Sequence, residues 1–386
     1  MAREIIIFIY LTFFKCIFSL MNMFKTQNKM VFVSSFGDNV EYVVNTALTN
    51  NSDCKIIILK GKKSRLQLFA SSHVKIIPFE SYNPFSFIQS IYHLATSRYV
   101  FVDNYFGFLA VTNFKQDVNC IQLWHAAGAI KRFGLKDPSN KHRSARAMKR
   151  FQKVYDRFDY VVVGSDNMAS IFMESFGIKN EERLLKTGIP RTDFFFKQEK
   201  IATIKKRLHK KYPLINHKKV ILYAPTYRES DLIESSLALD FDKMYEELRH
   251  DYVVLLKLHP ALHDSDKVKL PSFLLNVSDY PDINHLLTVT DILITDYSSV
   301  PMEFSLLDRP MIFFAYDLKE YEQERGFWED YEENIPGPIA RTTEEVIELI
   351  KQDSFDLAKV SAYSNKWNQY STGQSSERLL QAIQNK

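Results

Sequence analysis

From Lys29 onward, short apolar runs alternate with polar turns and amphipathic stretches, and this limits what the chain can fold into. The runs are Met30 to Ser34, Cys54 to Leu59, Val74 to Ile77, Tyr99 to Val102, Cys120 to Leu123 and Tyr160 to Val163. After Gly188-Ile189-Pro190-Arg191 and a basic helical stretch, Ile201 to Tyr212, the alternation restarts. Val220 to Tyr223, Val253 to Leu258, Phe273 to Val277, Ile292 to Thr295 and Met311 to Phe314 form the second set. Continuous rather than alternating apolar runs mark strands buried on both faces, and strands separated by helices mean parallel sheets. The pattern predicts an α/β chain of two doubly wound halves with a boundary near 190 to 200. Amphipathic helices over Ser361 to Ile383 close it and are expected to pack back on the first half. A length of 386 residues, 46% hydrophobic and 25% charged, supports two domains and excludes disorder as the main theme.

Ile5 to Phe24 lies ahead of this pattern and is nearly all apolar, with Lys15 its single charge. Secretory signal, transmembrane anchor and interfacial helix are the three readings. No small-residue cleavage site follows, which argues against the signal. Thr12, Lys15, Ser19 and Asn22 recur at spacings of three, four and three on one narrow face, which favours a helix lying in the membrane surface. The domains expected are therefore a membrane-associating helix over 1–28, a first Rossmann-like domain over 29–190 and a second over 191–386.

Charge and cysteine usage exclude more than they select. A net charge of +4 is mild and suits an anionic substrate or an acidic membrane surface, without calling for nucleic acid. Cys16, Cys54 and Cys120 are widely spaced, so neither a disulfide framework nor a zinc site is indicated, and a reducing cytosol fits. Asp264-Ser265-Asp266 is a carboxylate pair in a polar loop without a third ligand, so no metal is expected, nor any other cofactor. The glycines lack dinucleotide-site and P-loop spacings.

Ligands of parallel sheets bind beyond the carboxyl ends of strands, so residues just after the apolar runs carry the information. His125 follows one run, Thr226 and Arg228 another, His259 a third. Asp296, Ser298 and Ser299 follow Ile292 to Thr295, and Pro301 opens a helix through Met302, Glu303, Phe304, Leu306 and Leu307. Strand, hydroxyl-rich turn and helix start make an anion site from unpaired N–H groups and the helix dipole. Plain helix capping by the two serines is the competing reading. Glu303 misses the capping-box spacing and is expected to be free for a ligand hydroxyl. A histidine near pKa 6.5 can take a proton from an attacking hydroxyl, and a second histidine or Arg228 can stabilise charge on a transferred phosphoryl group.

QLWHAAG (122–128), GIPRTD (188–193), YAPTYR (223–228), LKLHP (256–260) and TDYSSVPMEF (295–304), followed by Arg309-Pro310 and DLKEY (317–321), stand in order. This set resembles the CDP-glycerol glycerophosphotransferase family of teichoic acid synthesis. The resemblance implies a GT-B fold with the active site between two Rossmann-like domains, and transfer of glycerol phosphate from CDP-glycerol with release of CMP. It places the catalytic base on His125 and the phosphate-stabilising histidine on His259, with 29–190 as the acceptor domain and 191–386 as the CDP-glycerol-binding domain, and Arg228 is expected to act beside His259 by its charge. Its donor-binding turn falls on Ser298, Ser299 and Glu303, and Gly188, Pro190, Arg191, Thr226 and Asp296 are expected to join it in holding the donor. One departure is visible: Ala126, Ala127 and Gly128 follow the histidine where a glycine is expected directly after it.

The chain has the length of the family's short form, expected to prime on the N-acetylmannosamine of an undecaprenyl-diphosphate disaccharide. It would act peripherally at the cytoplasmic face of the membrane, beside other teichoic acid enzymes. Alternatives are a short polymerase, a second priming enzyme using glycerol or ribitol phosphate, and a non-catalytic membrane-bound nucleotide-binding protein.

Overall fold

The computed structural model describes residues 2–50, 54–67, 73–226, 228, 238–258 and 272–385. They form two units: Met1–Ala126, Phe133–Asp193 and Tyr370–Lys386 in the first, Ala127–Arg132 and Phe194–Gln369 in the second. The chain thus leaves the first unit after Asp193 and returns to it at Tyr370. Of the two closing helices, Leu357–Trp367 belongs to the second unit and only Ser375–Gln384 to the first. Its start is held there by Asp193, whose carboxylate accepts the N–H groups of Ser375 and Ser376 at 2.8 and 2.9 Å.

The first unit is built on β1 (Gln27–Ser34), β2 (Lys55–Lys60), β3 (Val74–Pro78), β4 (Ser97–Val102), β5 (Asn119–Gln122), β6 (Tyr160–Val162) and β7 (Leu184–Leu185). All neighbours are parallel, in the order β3-β2-β1-β4-β5-β6-β7. The second unit holds β8 (Lys219–Ala224), β9 (Tyr252–Leu256), β10 (Leu274–Asn276), β11 (Ile292–Thr295), β12 (Met311–Phe314) and β13 (Ile339–Ala340), parallel in the order β10-β9-β8-β11-β12-β13. Every strand expected from an apolar run is present. β7 and β13 were not expected, being two residues each and too short to show periodicity. The strand order reverses between β1 and β4 in one sheet and between β8 and β11 in the other, and such switch points are where ligands of open parallel sheets bind.

The N-terminal helix, Ala2–Met21, is part of the first unit rather than a segment apart. Leu11, Phe14 and Phe18, at spacings of three and four, are buried. Phe14 lies 5.1 Å from Phe108 and 5.9 Å from Phe87, and Phe18 lies 5.6 Å from Phe114. Burial of each ring is worth about 2–3 kcal/mol. The helix still exposes Ile5, Ile9 and Leu20, each more than half accessible, on the face opposite the docked one, while Phe13, also more than half accessible, stacks on Phe87 at 6.0 Å. Thr12, Lys15 and Ser19 lie along its flank, so the narrow polar stripe separates two apolar faces rather than backing a single one.

Candidate active site

His125 stands three residues beyond β5 in the first unit, and its surroundings fix the ring. Asn39 donates to the carbonyls of Leu123 and Trp124 at 3.2 and 3.0 Å, and the Trp124 N–H donates to Gln122 Oε1 at 2.8 Å. Trp124 has φ 59°, a left-handed backbone costly for a bulky residue. Its indole packs against Phe133, Phe172 and Phe176 with ring centroids 4.7 to 5.8 Å away, which offsets that cost. The turn that throws the histidine out is therefore made by the residue before it, and Ala126 after it needs no glycine. Gly128 is needed for another reason: a Cβ there would lie 2.5 Å from both Met302 Sδ and the Trp367 ring.

The His125 ring stacks on Phe36 at 4.2 Å and 14°. Its Nδ1 is 3.3 Å from the Asp103 carbonyl, so with the proton on Nδ1 it donates there and leaves Nε2 with a lone pair. Asp103, directly after β4, does more than accept this bond. Its buried carboxylate takes the N–H groups of Ser35, Phe36 and Gly37 at 2.8, 3.0 and 3.0 Å and so shapes the loop after β1 that carries Phe36. Burial pushes its pKa up to about 6 against the pull of those hydrogen bonds.

Arg191 is 8% exposed, and its Nη1 donates to the His125 carbonyl at 3.0 Å and to Asp38 at 3.2 Å. Gly188 has φ 87°, and a Cβ there would meet Ser375 and Tyr370 at 2.4 to 2.5 Å. Gly188, Pro190 and Arg191, expected among donor ligands, thus belong to the unit of His125, where Arg191 braces the histidine's main chain.

Burial lowers the His125 pKa to about 4, with Arg191 adding to the effect and the Asp103 carbonyl opposing it. His125 is neutral at pH 7, as a proton acceptor must be. Because the unfolded ring binds a proton near pH 6.5 and the folded one only near 4, this site loses stability as pH falls through that window. In ¹⁵N-histidine spectra the His125 ring is expected to stay neutral at pH 5.5, where a free imidazole is about 90% protonated. An imidazolium signal for His125 at that pH would show that the Phe36 and Asp103 setting does not hold it.

In the second unit the serine turn follows β11. Asp296 Oδ1 accepts the N–H groups of Thr226 and Tyr297 at 2.8 and 2.7 Å, tying the ends of β8 and β11 together. Its other oxygen pairs with Arg228 at 2.9 Å. Arg228 also forms a two-point pair with Asp317, Nε to Oδ2 at 2.5 Å and Nη2 to Oδ1 at 2.9 Å, and donates to the Thr226 carbonyl. Burial works against its charge, but Asp317 and Asp296 outweigh this and hold the pKa above the ordinary arginine value. Tyr297, Tyr316 and Tyr321 surround the guanidinium with ring centroids 4.8 to 5.6 Å away. Arg228, expected to face a phosphoryl group, is committed to two carboxylates.

The turn itself corrects two further expectations. The α-helix runs only from Val300 to Phe304, followed by a 3₁₀ turn, Ser305–Leu307, so the dipole behind the turn is short. Ser298 Oγ takes the Val300 N–H at 3.3 Å and pairs with Thr295 Oγ1 at 3.0 Å, while Ser299 occupies the cap position without a side-chain capping bond. Capping thus accounts for Ser298 and not for Ser299. Glu303, expected to be free, is fully buried and has a partner within the protein. His259 and the Asp264-Ser265-Asp266 pair lie outside the described residues.

The family described as CDP-glycerol:poly(glycerophosphate) glycerophosphotransferase matches residues 15–385. The chain is 37% identical over 384 residues to the teichoic acid glycerol-phosphate primase of Bacillus subtilis (strain 168), covering 99% of this chain and 98% of that protein. It is 37% identical over 298 residues to the teichoic acid ribitol-phosphate primase of Bacillus spizizenii, covering 76% of each. The structure of the wall teichoic acid polymerase TagF superimposes with TM-score 0.82 at 25% identity, covering 98% of this chain and 94% of that one.

Proposed function

Because the chain belongs to the CDP-glycerol:poly(glycerophosphate) glycerophosphotransferase family, and is thus a CDP-glycerol-dependent transferase of teichoic acid synthesis, we propose that it catalyses the priming step. It would move sn-glycerol 3-phosphate from CDP-glycerol to the N-acetylmannosamine hydroxyl of an undecaprenyl-diphosphate-linked disaccharide. The observation that carries this is the end-to-end match to a glycerol-phosphate primase, 99% of one chain against 98% of the other. In the step, the acceptor oxygen bonds to the phosphorus that carries glycerol, the bond from that phosphorus to the oxygen bridging to CMP breaks, and CMP leaves with the electron pair. His125 Nε2 takes the acceptor's proton. The second unit, through the turn at Ser298 and Ser299, holds the donor, with His259 as the phosphoryl-stabilising residue.

Incubation with CDP-glycerol and the lipid-linked disaccharide, followed by mass measurement, tests this. One added glycerol phosphate supports priming; a ladder of products would make the chain a polymerase. The match to a ribitol-phosphate primase motivates a second arm: faster transfer from CDP-ribitol than from CDP-glycerol would replace the donor.

The acceptor's lipid requires the enzyme to work at the membrane surface, and Ala2–Met21 supplies the means. It is long and apolar enough to span a bilayer, but spanning would strip Phe14 and Phe18 from the rings they pack on. We place it in the interface of the cytoplasmic leaflet, with Ile5, Ile9 and Leu20 toward lipid and Lys15 on the flank. Replacing Ile5, Ile9 and Leu20 with serine is expected to move the protein to the soluble fraction with its melting temperature kept. Phe14 and Phe18 are unsuitable for this test, being buried. Retention of the wild-type protein in membranes after alkaline carbonate extraction would make the helix a transmembrane anchor instead.

A further inference from the structure

Lys131 has no place in the step just described, yet the second unit holds it with unusual care. Its segment, Ala127–Arg132, is laid against Gly326–Trp328: Lys131 and Phe327 form a β-bridge, the Arg132 N–H donates to the Gly326 carbonyl at 3.0 Å, and the Trp328 N–H donates to the Ile130 carbonyl at 3.1 Å. Arg132 Nε adds a bond to the Phe327 carbonyl at 2.9 Å. Gly128, at the start of the segment, admits no Cβ against Met302, which lies in the helix that follows the serine turn. A solvated basic loop would need none of this.

The side chain so positioned reaches the edge of the serine turn's own network. Lys131 Nζ is 3.2 Å from Tyr321 Oη, and the Tyr321 ring stacks on Tyr297, the residue after Asp296, at 4.0 Å. Arg228 lies over the same Tyr321 ring at 5.6 Å. Both nearby carboxylates are already taken: Asp296 by Arg228 and two N–H groups, Asp317 by Arg228 and the Tyr297 hydroxyl. Among the described residues Lys131 forms no ion pair, and neither does the neighbouring Arg325. Burial, then Arg325, push the Lys131 pKa down to about 8, with Asp296 opposing and Arg228 adding. A half-buried ammonium without a carboxylate, beside two more cations, is stabilised by an arriving anion.

We propose that Lys131 is the cation that receives the donor's diphosphate, its Nζ hydrogen-bonded to a phosphate oxygen of the nucleoside diphosphate alcohol while Tyr321 Oη orients it. The role assigned from sequence to Arg228 passes to a lysine in the segment that follows the base. This rests on the reading of the chain as a CDP-glycerol transferase. A charged hydrogen bond of this kind is worth about tenfold to hundredfold in affinity.

The test measures binding of CDP-glycerol, CDP-ribitol and CMP by calorimetry to the wild-type protein, Lys131→Met and Lys131→Arg. Lys131→Met is expected to bind CDP-glycerol at least tenfold more weakly and CMP less than threefold more weakly, with Lys131→Arg between wild type and Lys131→Met for the diphosphate. Methionine keeps the packing on Tyr321, so a purely structural lysine would leave both affinities unchanged, and that result overturns the proposal. On the wild-type protein, reductive methylation read by mass spectrometry is expected to label Lys131 and CDP-glycerol to protect it; equal labelling with and without ligand also overturns it, whatever the variants' folding. Lys131-dependent binding of CDP-ribitol with none of CDP-glycerol would sink the glycerol reading and keep this one. A wild-type protein that binds no diphosphate would end both.

Discussion

His125→Ala is expected to lower turnover by about 10²- to 10⁴-fold while leaving the affinity for CDP-glycerol within about threefold, since a general base acts on the acceptor's proton in the transition state. The structure sharpens the reason. His125 is neutral, its ring is held between Phe36 and the Asp103 carbonyl, and Nε2 is the nitrogen left to work. Each of these lies in the first unit, whereas the turn assigned to the donor lies in the second. Loss of the ring therefore removes proton transfer without touching the serine turn. A correctly folded variant that turns over at near wild-type rate would remove His125 from the mechanism. One that loses donor affinity in proportion to turnover would make it a binding residue.

The sheets were legible because strands buried on both faces write continuous apolar runs into the sequence, and the strand-end rule found His125, Arg228 and the serine turn. What it did not reveal was which groups those residues would meet, because pairing between Arg228 and Asp317 or between His125 and Asp103 spans parts of the chain that no spacing connects. Asp103 was within reach: it follows the run Tyr99 to Val102 immediately, at a strand end like the others, yet an aspartate before Asn-Tyr carries no motif of its own. Glu303 fell to a related gap. Its offset from the serines ruled out a capping box, but whether a helical residue faces solvent or core depends on what packs above it, and this one is fully buried. For the N-terminal helix the polar stripe marks one narrow face but not how many apolar faces border it, and the second is set by Phe87, Phe108 and Phe114 packing against Phe14 and Phe18.

Arg228→Met separates two accounts of the arginine that the sequence could not. Were the guanidinium aimed at the transferred phosphoryl group, its loss would cost on the order of 3 kcal/mol in the transition state and little in the folded protein. In the structure it neutralises two carboxylates, with Asp296 almost fully buried and Arg228 nearly so, at side-chain exposures of 3% and 9%. Removing one member of a buried ion pair strands the others, at about 3–5 kcal/mol. For a unit of this size that is a fall in melting temperature of about 10 °C. Arg228→Met is thus expected to lose stability first, and donor affinity as a consequence, because Asp296 also fixes the N–H groups of Thr226 and Tyr297 at the two strand ends. Adding Asp317→Asn should recover part of the loss, since one stranded charge is then gone, so the two changes would cost less together than their separate effects sum to. Unchanged melting with a hundredfold fall in turnover would restore the arginine to the reacting phosphate and show that its carboxylate partners release it when the donor binds.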